Sequence, residues 1–222
     1  MLYIFGDSFS VGADPQQPST HKLWSELTAI KLGISKIVGR TQYGVSNEWI
    51  LNEVLQCSKK FNNHDKVIIQ LTSPERQWFF EDMPAVGNFY VADLEKIVSP
   101  ERAKAVKQFI IHLNSESLNE IRNNLYHLAV ERITQILGHV QILVLPGFRD
   151  IPSVKGTLNS VSVGEFSSID AKDKWYDTHK VDPRINHLSA ENHKILSDKI
   201  VDYFKLGHNI DLTTGFMKGF LK

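Results

Sequence analysis

Four short apolar runs constrain this chain more than any other feature: Leu2 to Phe5, Ile37 and Val38, Val67 to Leu71, and Val140 to Leu145. None of them alternates apolar with polar residues, so each reads as a strand buried on both faces rather than one with a wet side. Each is also stopped sharply, at Gly6, at Gly39, at Thr72-Ser73-Pro74 and at Pro146-Gly147. The segments between them carry helical spacing. Leu23, Trp24, Leu27 and Ile30 precede a stop at Gly33, and Ser46 is a candidate cap for a helix holding Trp49, Ile50, Val54 and Leu55. Strand and helix alternating in this way predict an α/β fold: a parallel sheet covered by helices on both faces.

The rest of the chain fits around that frame. Residues 75–98 interleave Trp78, Phe79, Phe80, Phe89 and Tyr90 with Pro84, Gly87 and acidic residues, an irregular aromatic-rich excursion. Helical periodicity returns near Pro100, is strongest at Leu118, Ile121, Leu125, Leu128, Ile133 and Ile136, and closes at Gly138. Residues 148–186 are polar and loop-like. A last helix begins after Ser189 and carries Leu196, Ile200, Val201 and Phe204, and a short mixed tail runs from 207 to 222. No repeat, low-complexity stretch or linker divides the 222 residues, which are read as a single domain, 1–222.

Composition removes several classes of function. Twenty-five basic residues balance twenty-five acidic ones, so no whole-molecule field gathers nucleic acid or an anionic membrane. Cys57 is the single cysteine, which rules out an intrachain disulfide and a cysteine metal cluster; at the end of an apolar helical pattern it is expected to be buried packing. No run reaches the length of a membrane span, and the start, Met-Leu-Tyr-Ile-Phe-Gly-Asp, reads as a strand rather than a signal peptide. A cytoplasmic protein is expected. His187 and His193 lie six residues apart, not the four that align two ligands on one helix face, and His112, His127, His139 and His208 read as surface or partly buried, so no metal site is expected. Neither the dinucleotide fingerprint nor the P-loop pattern occurs, and no cofactor is expected.

What remains collects at one edge. In open parallel sheets, ligands bind beyond the carboxyl ends of the strands. Gly6-Asp7-Ser8-Phe9-Ser10 follows the first strand, Tyr43-Gly44-Val45-Ser46-Asn47 the second, and Thr72-Ser73 the third; His187 sits just before the last helix. A serine nucleophile needs a base to take its proton and donors to hold the oxyanion, and this edge can supply both. Ser8 and His187 are the candidate nucleophile and base. The bland alternative for the first segment is a glycine turn with Asp7 or Ser10 capping a helix.

These residues, taken together, resemble the SGNH or GDSL-type hydrolases. Gly6-Asp7-Ser8-Phe9 matches the family's first block, Gly44 the glycine after strand two, and His187-Leu188-Ser189-Ala190-Glu191-Asn192-His193 its last block. The resemblance implies a three-layer α/β/α sandwich with a parallel sheet of about five strands, flavodoxin-like in plan. It further implies that Ser8 attacks an ester carbonyl, that His187 serves as base and then acid, and that the backbone amides of Ser8 and Gly44 hold the oxyanion. Acyl esters of small alcohols or glycans are the implied substrates, with no cofactor.

Two departures accompany the match. The family's oxyanion asparagine after strand three is absent, and the stretch reads Leu71-Thr72-Ser73-Pro74-Glu75-Arg76; Asn47, Thr72, Ser73 and Arg76 are the candidate substitutes. The family's aspartate three residues before the histidine is replaced by Arg184, leaving Asp182, five residues before, as the candidate orienting acid. The Thr-Ser-Pro-Glu-Arg variant resembles SGNH-related proteins of tailed phages. The alternatives are a binding or structural module with a decayed site, and an acyltransferase using the same serine.

Overall fold

The computed structural model describes residues 1–7, 10, 22–42, 44–72, 76–79, 98–112, 115–145, 188, 190–207 and 215–216. Four strands, β1 (Leu2–Gly6), β2 (Ile37–Thr41), β3 (Lys66–Gln70) and β4 (Gln141–Leu145), form one parallel sheet in the order β2-β1-β3-β4. Five helices accompany them among the described residues: α1 (Trp24–Lys31), α2 (Asn47–Cys57), α3 (Pro100–His112), α4 (Glu116–Ile136) and α5 (Ala190–Leu206). The fold is α/β, as the sequence predicts. About five strands were expected and four are found among the described residues. The fifth was implied by the family alone and had no apolar run of its own in the sequence.

β1, β3 and β4 lack alternation because both their faces are covered, whereas β2, at the edge of the sheet, departs from that expectation: Ile37, Gly39 and Arg40 are exposed and Val38 and Thr41 half-buried. Tyr3, Phe5, Val67, Ile69, Ile142 and Val144 point to one side, against Ile50, Val54 and Cys57 of α2 and Tyr126, Val130 and Ile133 of α4. The intervening residues Leu2, Ile4, Ile68, Leu143 and Leu145 point to the other, against Trp24 and Ala29 of α1 and Leu196, Ile200 and Phe204 of α5. At about 25 cal/mol per Å² of apolar surface removed from water, these two layers supply the main driving force of folding. Cys57 is buried in the first of them, as expected. Phe216, from the tail, joins the second.

Local signals behave as their chemistry requires. Ser46 caps α2, its Oγ accepting from the Trp49 N–H at 3.3 Å, and Ser115 caps α4 in the same way from Leu118 at 3.2 Å. Gly33 ends α1 at φ 67°, a left-handed conformation that lets the Ile34 N–H reach back to the Ala29 carbonyl at 2.9 Å.

The region after Pro100 departs from the periodicity reading. It is two helices, and of the six residues carrying that periodicity Ile133 is buried while Ile121, Leu125, Leu128 and Ile136 are exposed. The face of α4 turned to the sheet is instead Asn119, Tyr126, Val130 and Ile133, on nearly the opposite side. An apolar stripe on each side of one helix defeats a simple periodicity argument.

α1 and α5 lie side by side and run parallel. The Thr28 hydroxyl donates to Ser197 Oγ at 3.4 Å, and Lys31 Nζ lies 2.7 Å from Asp198 Oδ1. At their starts, Nδ1 of the buried His193 accepts the Trp24 backbone N–H at 3.2 Å, one of the amides that the first turn of a helix cannot satisfy itself. A histidine from the last helix therefore caps the first. Replacing His193 with Ala leaves that amide buried without its acceptor and is expected to cost about 1–3 kcal/mol. Urea unfolding measures the loss directly, and thermal unfolding should register roughly 2–4 °C for each kcal/mol.

Candidate active site

The order β2-β1-β3-β4 places a topological switch between β1 and β3, since the chain leaves β1 toward one edge and later returns to fill the other side. Crevices at such points, beyond the carboxyl ends of the strands, are where open α/β sheets bind ligands. The structure puts a dense polar network there, built on Asp7, the residue after β1.

Asp7 is fully buried. Its Oδ2 accepts from the Thr72 hydroxyl at 2.6 Å and from Arg76 Nη1 at 2.7 Å, and its Oδ1 accepts from Gln70 Nε2 at 3.2 Å. The same Arg76 Nη1 also donates to Thr72 Oγ1 at 2.7 Å. A buried carboxylate without water is costly unless paired and hydrogen-bonded, and here one guanidinium and two neutral donors surround it. Gln70 serves twice, because its Oε1 accepts from the Ser10 hydroxyl. The Ser10 N–H in turn donates to the Asp7 carbonyl at 3.0 Å. One glutamine at the end of β3 thus grips both ends of the four-residue segment 7–10. Gly6 permits the close approach, since a Cβ there would lie 2.5 Å from Ser10 Oγ and 3.1 Å from Gln70 Cβ.

Thr72 links this cluster to the second segment of the edge. Asn47, the first residue of α2, donates from Nδ2 to the Thr72 carbonyl at 3.0 Å and accepts the Thr72 N–H at 2.7 Å on Oδ1. The carboxamide spans the Thr72 backbone as a neighbouring strand would, where the β3 ladder has ended. Just before α2, Gly44 adopts φ 68°, left-handed and suited to glycine, which turns the chain from β2 into the helix. Glu48, beside Asn47, accepts the Tyr126 hydroxyl at 2.6 Å and ties the start of α2 to α4.

Of the sequence candidates, Gly44, Asn47, Thr72 and Arg76 are described, and the last three are joined in this one network. Ser8, Ser73, Asp182 and His187 lie outside the described residues. The flanks of Ser8 are fixed at Asp7 and Ser10. Leu188, adjacent to His187, is buried in the second apolar layer, and the His193–Trp24 bond anchors the start of α5 at the start of α1. Since α1 begins on the return from β1, that anchor lies toward the same end of the sheet as Asp7. The Thr72 hydroxyl proton is committed to Asp7, and the Asn47 carboxamide is committed on both its heteroatoms to Thr72.

Sequence reasoning did not single out Gln70. Its signal was present: an uncharged amide ending the apolar run Lys66-Val67-Ile68-Ile69, fully buried in the structure. Of the aromatic excursion, Phe79 is described. It packs edge-on against Phe109 at 5.3 Å between ring centroids and joins Ala103 and Val106 of α3. No group of three His, Cys, Asp or Glu residues able to hold a metal occurs among the described residues. No helix among them is long and apolar enough to cross a membrane.

No family model and no curated protein matches the sequence. Among solved structures, the lipase Lip_vut3 from a goat rumen metagenome aligns with 90% of this chain and 94% of its own, at 14% identity and a TM-score of 0.46. The Bacillus subtilis protein YxiM aligns with 93% of this chain and 56% of its own, at 10% identity and the same TM-score.

Two expectations follow from these bonds. Asn47→Ala strands the buried Thr72 N–H and carbonyl and should cost at least about 1–3 kcal/mol in urea unfolding. The second concerns alkaline pH. Burial, then the charge and hydrogen bond of Glu48, push the Tyr126 phenol well above its ordinary value, and burial raises Tyr203, whose hydroxyl donates to the Ile142 carbonyl at 2.6 Å. A phenol held protonated by the fold adds stability that is complete below the unfolded pKa of about 10 and is eroded as pH rises beyond it. Unfolding free energy should therefore fall above pH 10, and Tyr126→Phe should flatten that fall. Absorbance at 295 nm during the titration checks the delayed ionisation.

Proposed function

We propose that the chain is a serine ester hydrolase of the SGNH type acting on a small or carbohydrate-linked acyl ester. In this reading the Ser8 hydroxyl attacks the ester carbonyl while His187 takes its proton. The backbone N–H groups of Ser8 and Gly44 face the oxyanion that develops, His187 returns the proton to the departing alcohol, and water then releases the acyl group by the reverse sequence. Asp182 orients the imidazole. No metal or organic cofactor takes part.

The observation that carries the reading is the construction around Asp7. A residue immediately before the proposed nucleophile is buried at the switch point of the sheet and held by three side chains, and the turn it opens is closed by the Ser10 N–H. Polar groups are concentrated here at a cost in desolvation, at the one edge where this architecture binds ligands. Gly44, left-handed and just ahead of α2, follows β2 at the same edge, and in this reading its backbone N–H is the second oxyanion donor.

One observation favours a second reading, a non-catalytic module that keeps the fold. Where the family carries an oxyanion asparagine, the chain has Thr72, whose hydroxyl proton is spent on Asp7. Losing one such donor typically slows acyl transfer by roughly 10²–10³. The two readings separate in one assay. A serine hydrolase turns over p-nitrophenyl acetate and is labelled at Ser8 by a fluorophosphonate, and Ser8→Ala abolishes both while leaving the unfolding midpoint near that of the unaltered protein. Turnover indifferent to Ser8→Ala, together with absent labelling, assigns the module instead. Acceptor alcohols added to the ester assay would divert the acyl group if the serine serves a transferase.

A further inference from the structure

The role of Arg76 goes beyond balancing a charge. We propose that Arg76 is a positioning residue: through Asp7 and Thr72 it fixes the turn from Asp7 to Ser10 and so sets the aim of Ser8. The proposal rests on Ser8 as nucleophile for its catalytic consequence, but its structural half stands without it.

Arg76 approaches the end of β1 from six residues beyond the end of β3, is itself buried, and places a single nitrogen 2.7 Å from both Asp7 Oδ2 and Thr72 Oγ1. The two carboxylate oxygens of Asp7 are thereby given different partners. Oδ1 is held by Gln70 within the sheet, and Oδ2 by Thr72 and Arg76 outside it. Two points of attachment on opposite oxygens fix the rotation of the carboxylate, and Arg76 secures the second of them, since the same Nη1 holds Oδ2 and the oxygen of the Thr72 hydroxyl that donates to it. Because Gln70 also holds the Ser10 hydroxyl and the Asp7 carbonyl holds the Ser10 N–H, a carboxylate that cannot rotate leaves the turn little room to move.

Stability alone is a poor reason for this arrangement. Replacing a buried ion pair by apolar groups of similar size is often neutral or favourable, whereas removing one partner is strongly unfavourable. A pair kept for charge balance would be dispensable as a pair. One kept for geometry would not be.

The test exploits that difference with Arg76→Met, Asp7→Asn and the double variant carrying both. Each single variant is expected to lower the unfolding midpoint, Arg76→Met the more because it leaves a carboxylate buried without its counter-charge. The double variant removes both charges and is expected to recover most of that midpoint. Positioning then shows in two readouts that stability does not move. Exchange of the Ser10 amide hydrogen, followed by NMR, should be at least tenfold faster in the double variant than in the unaltered protein, while amides in the middle of β1 and β3 exchange as before. The limiting rate of fluorophosphonate labelling at Ser8 should fall roughly tenfold to a hundredfold with the half-saturating probe concentration unchanged, and Arg76→Lys should fall between. A double variant that regains its midpoint, Ser10 protection and labelling rate together reduces Arg76 to a counter-ion and overturns the proposal. If the unaltered protein is not labelled at all, the hydrolase reading is what fails. The Ser10 exchange rate then decides the positioning role by itself, with faster exchange upholding it and unchanged exchange overturning it.

Discussion

A carboxylate placed where water cannot reach it must be surrounded by donors, and at the end of β1 that requirement organises the functional edge of the molecule. Asp7 draws Gln70 from β3, and Thr72 and Arg76 from the segment beyond it. Thr72 in turn is gripped by Asn47 at the start of α2. Three segments distant in sequence, at Asp7, Asn47 and residues 70–76, are thereby tied into one unit whose bonds are buried and largely charge-assisted, the kind that loses most when any one member is missing. The apolar layers on either side of the sheet make the fold. This network determines how the carboxyl ends of its two central strands are finished.

The order of strands gives that finish its meaning. The helix following β1 packs on one face and those following β2 and β3 on the other, as right-handed crossovers require when the chain reverses direction across the sheet. The reversal falls between β1 and β3, and the β3 ladder runs one residue further, to the Leu71 N–H on the Leu145 carbonyl, before Thr72 leaves it. Beyond the ladder a side chain takes over at Thr72, whose backbone the Asn47 carboxamide answers, and a backbone turn takes over after β1, where the Asp7 carbonyl accepts the Ser10 N–H. Anchors of this kind are what a site needs if a reacting group is to be held near a productive geometry.

Much of this was legible in the residues, and the limits have physical causes. β1, β3 and β4 were readable because burial on both faces demands continuous apolar runs, the exposed edge strand β2 showed only as the pair Ile37-Val38, and Ser46 announced α2 because a serine oxygen satisfies an amide the helix leaves open. Periodicity alone does not tell which side of α4 is buried, because Ile121, Leu125 and Leu128 repeat at helical spacing and are exposed while Tyr126 and Val130 are buried. At the edge, Thr72, Asn47 and Arg76 were named for chemistry toward a ligand, yet the bonds they make are to one another and to Asp7. A sequence displays which groups can donate and accept; which of those capacities the fold consumes internally depends on packing that pairs residues 25 and 69 positions apart.

That consumption bears on how an ester hydrolase of this kind would work. With the Thr72 hydroxyl proton spent on Asp7 and the Asn47 amide bonded to the Thr72 backbone, the proposed oxyanion site would lean on backbone N–H groups. Backbone donors act only if the turn carrying them is held still, because preorganisation rather than donor strength accounts for their effect. A site that gives up a side-chain donor therefore gains more from a rigid turn than one that keeps it. The buried Asp7–Arg76 pair, costly to desolvate, is placed where such rigidity would matter most, since Asp7 directly precedes Ser8 in the chain.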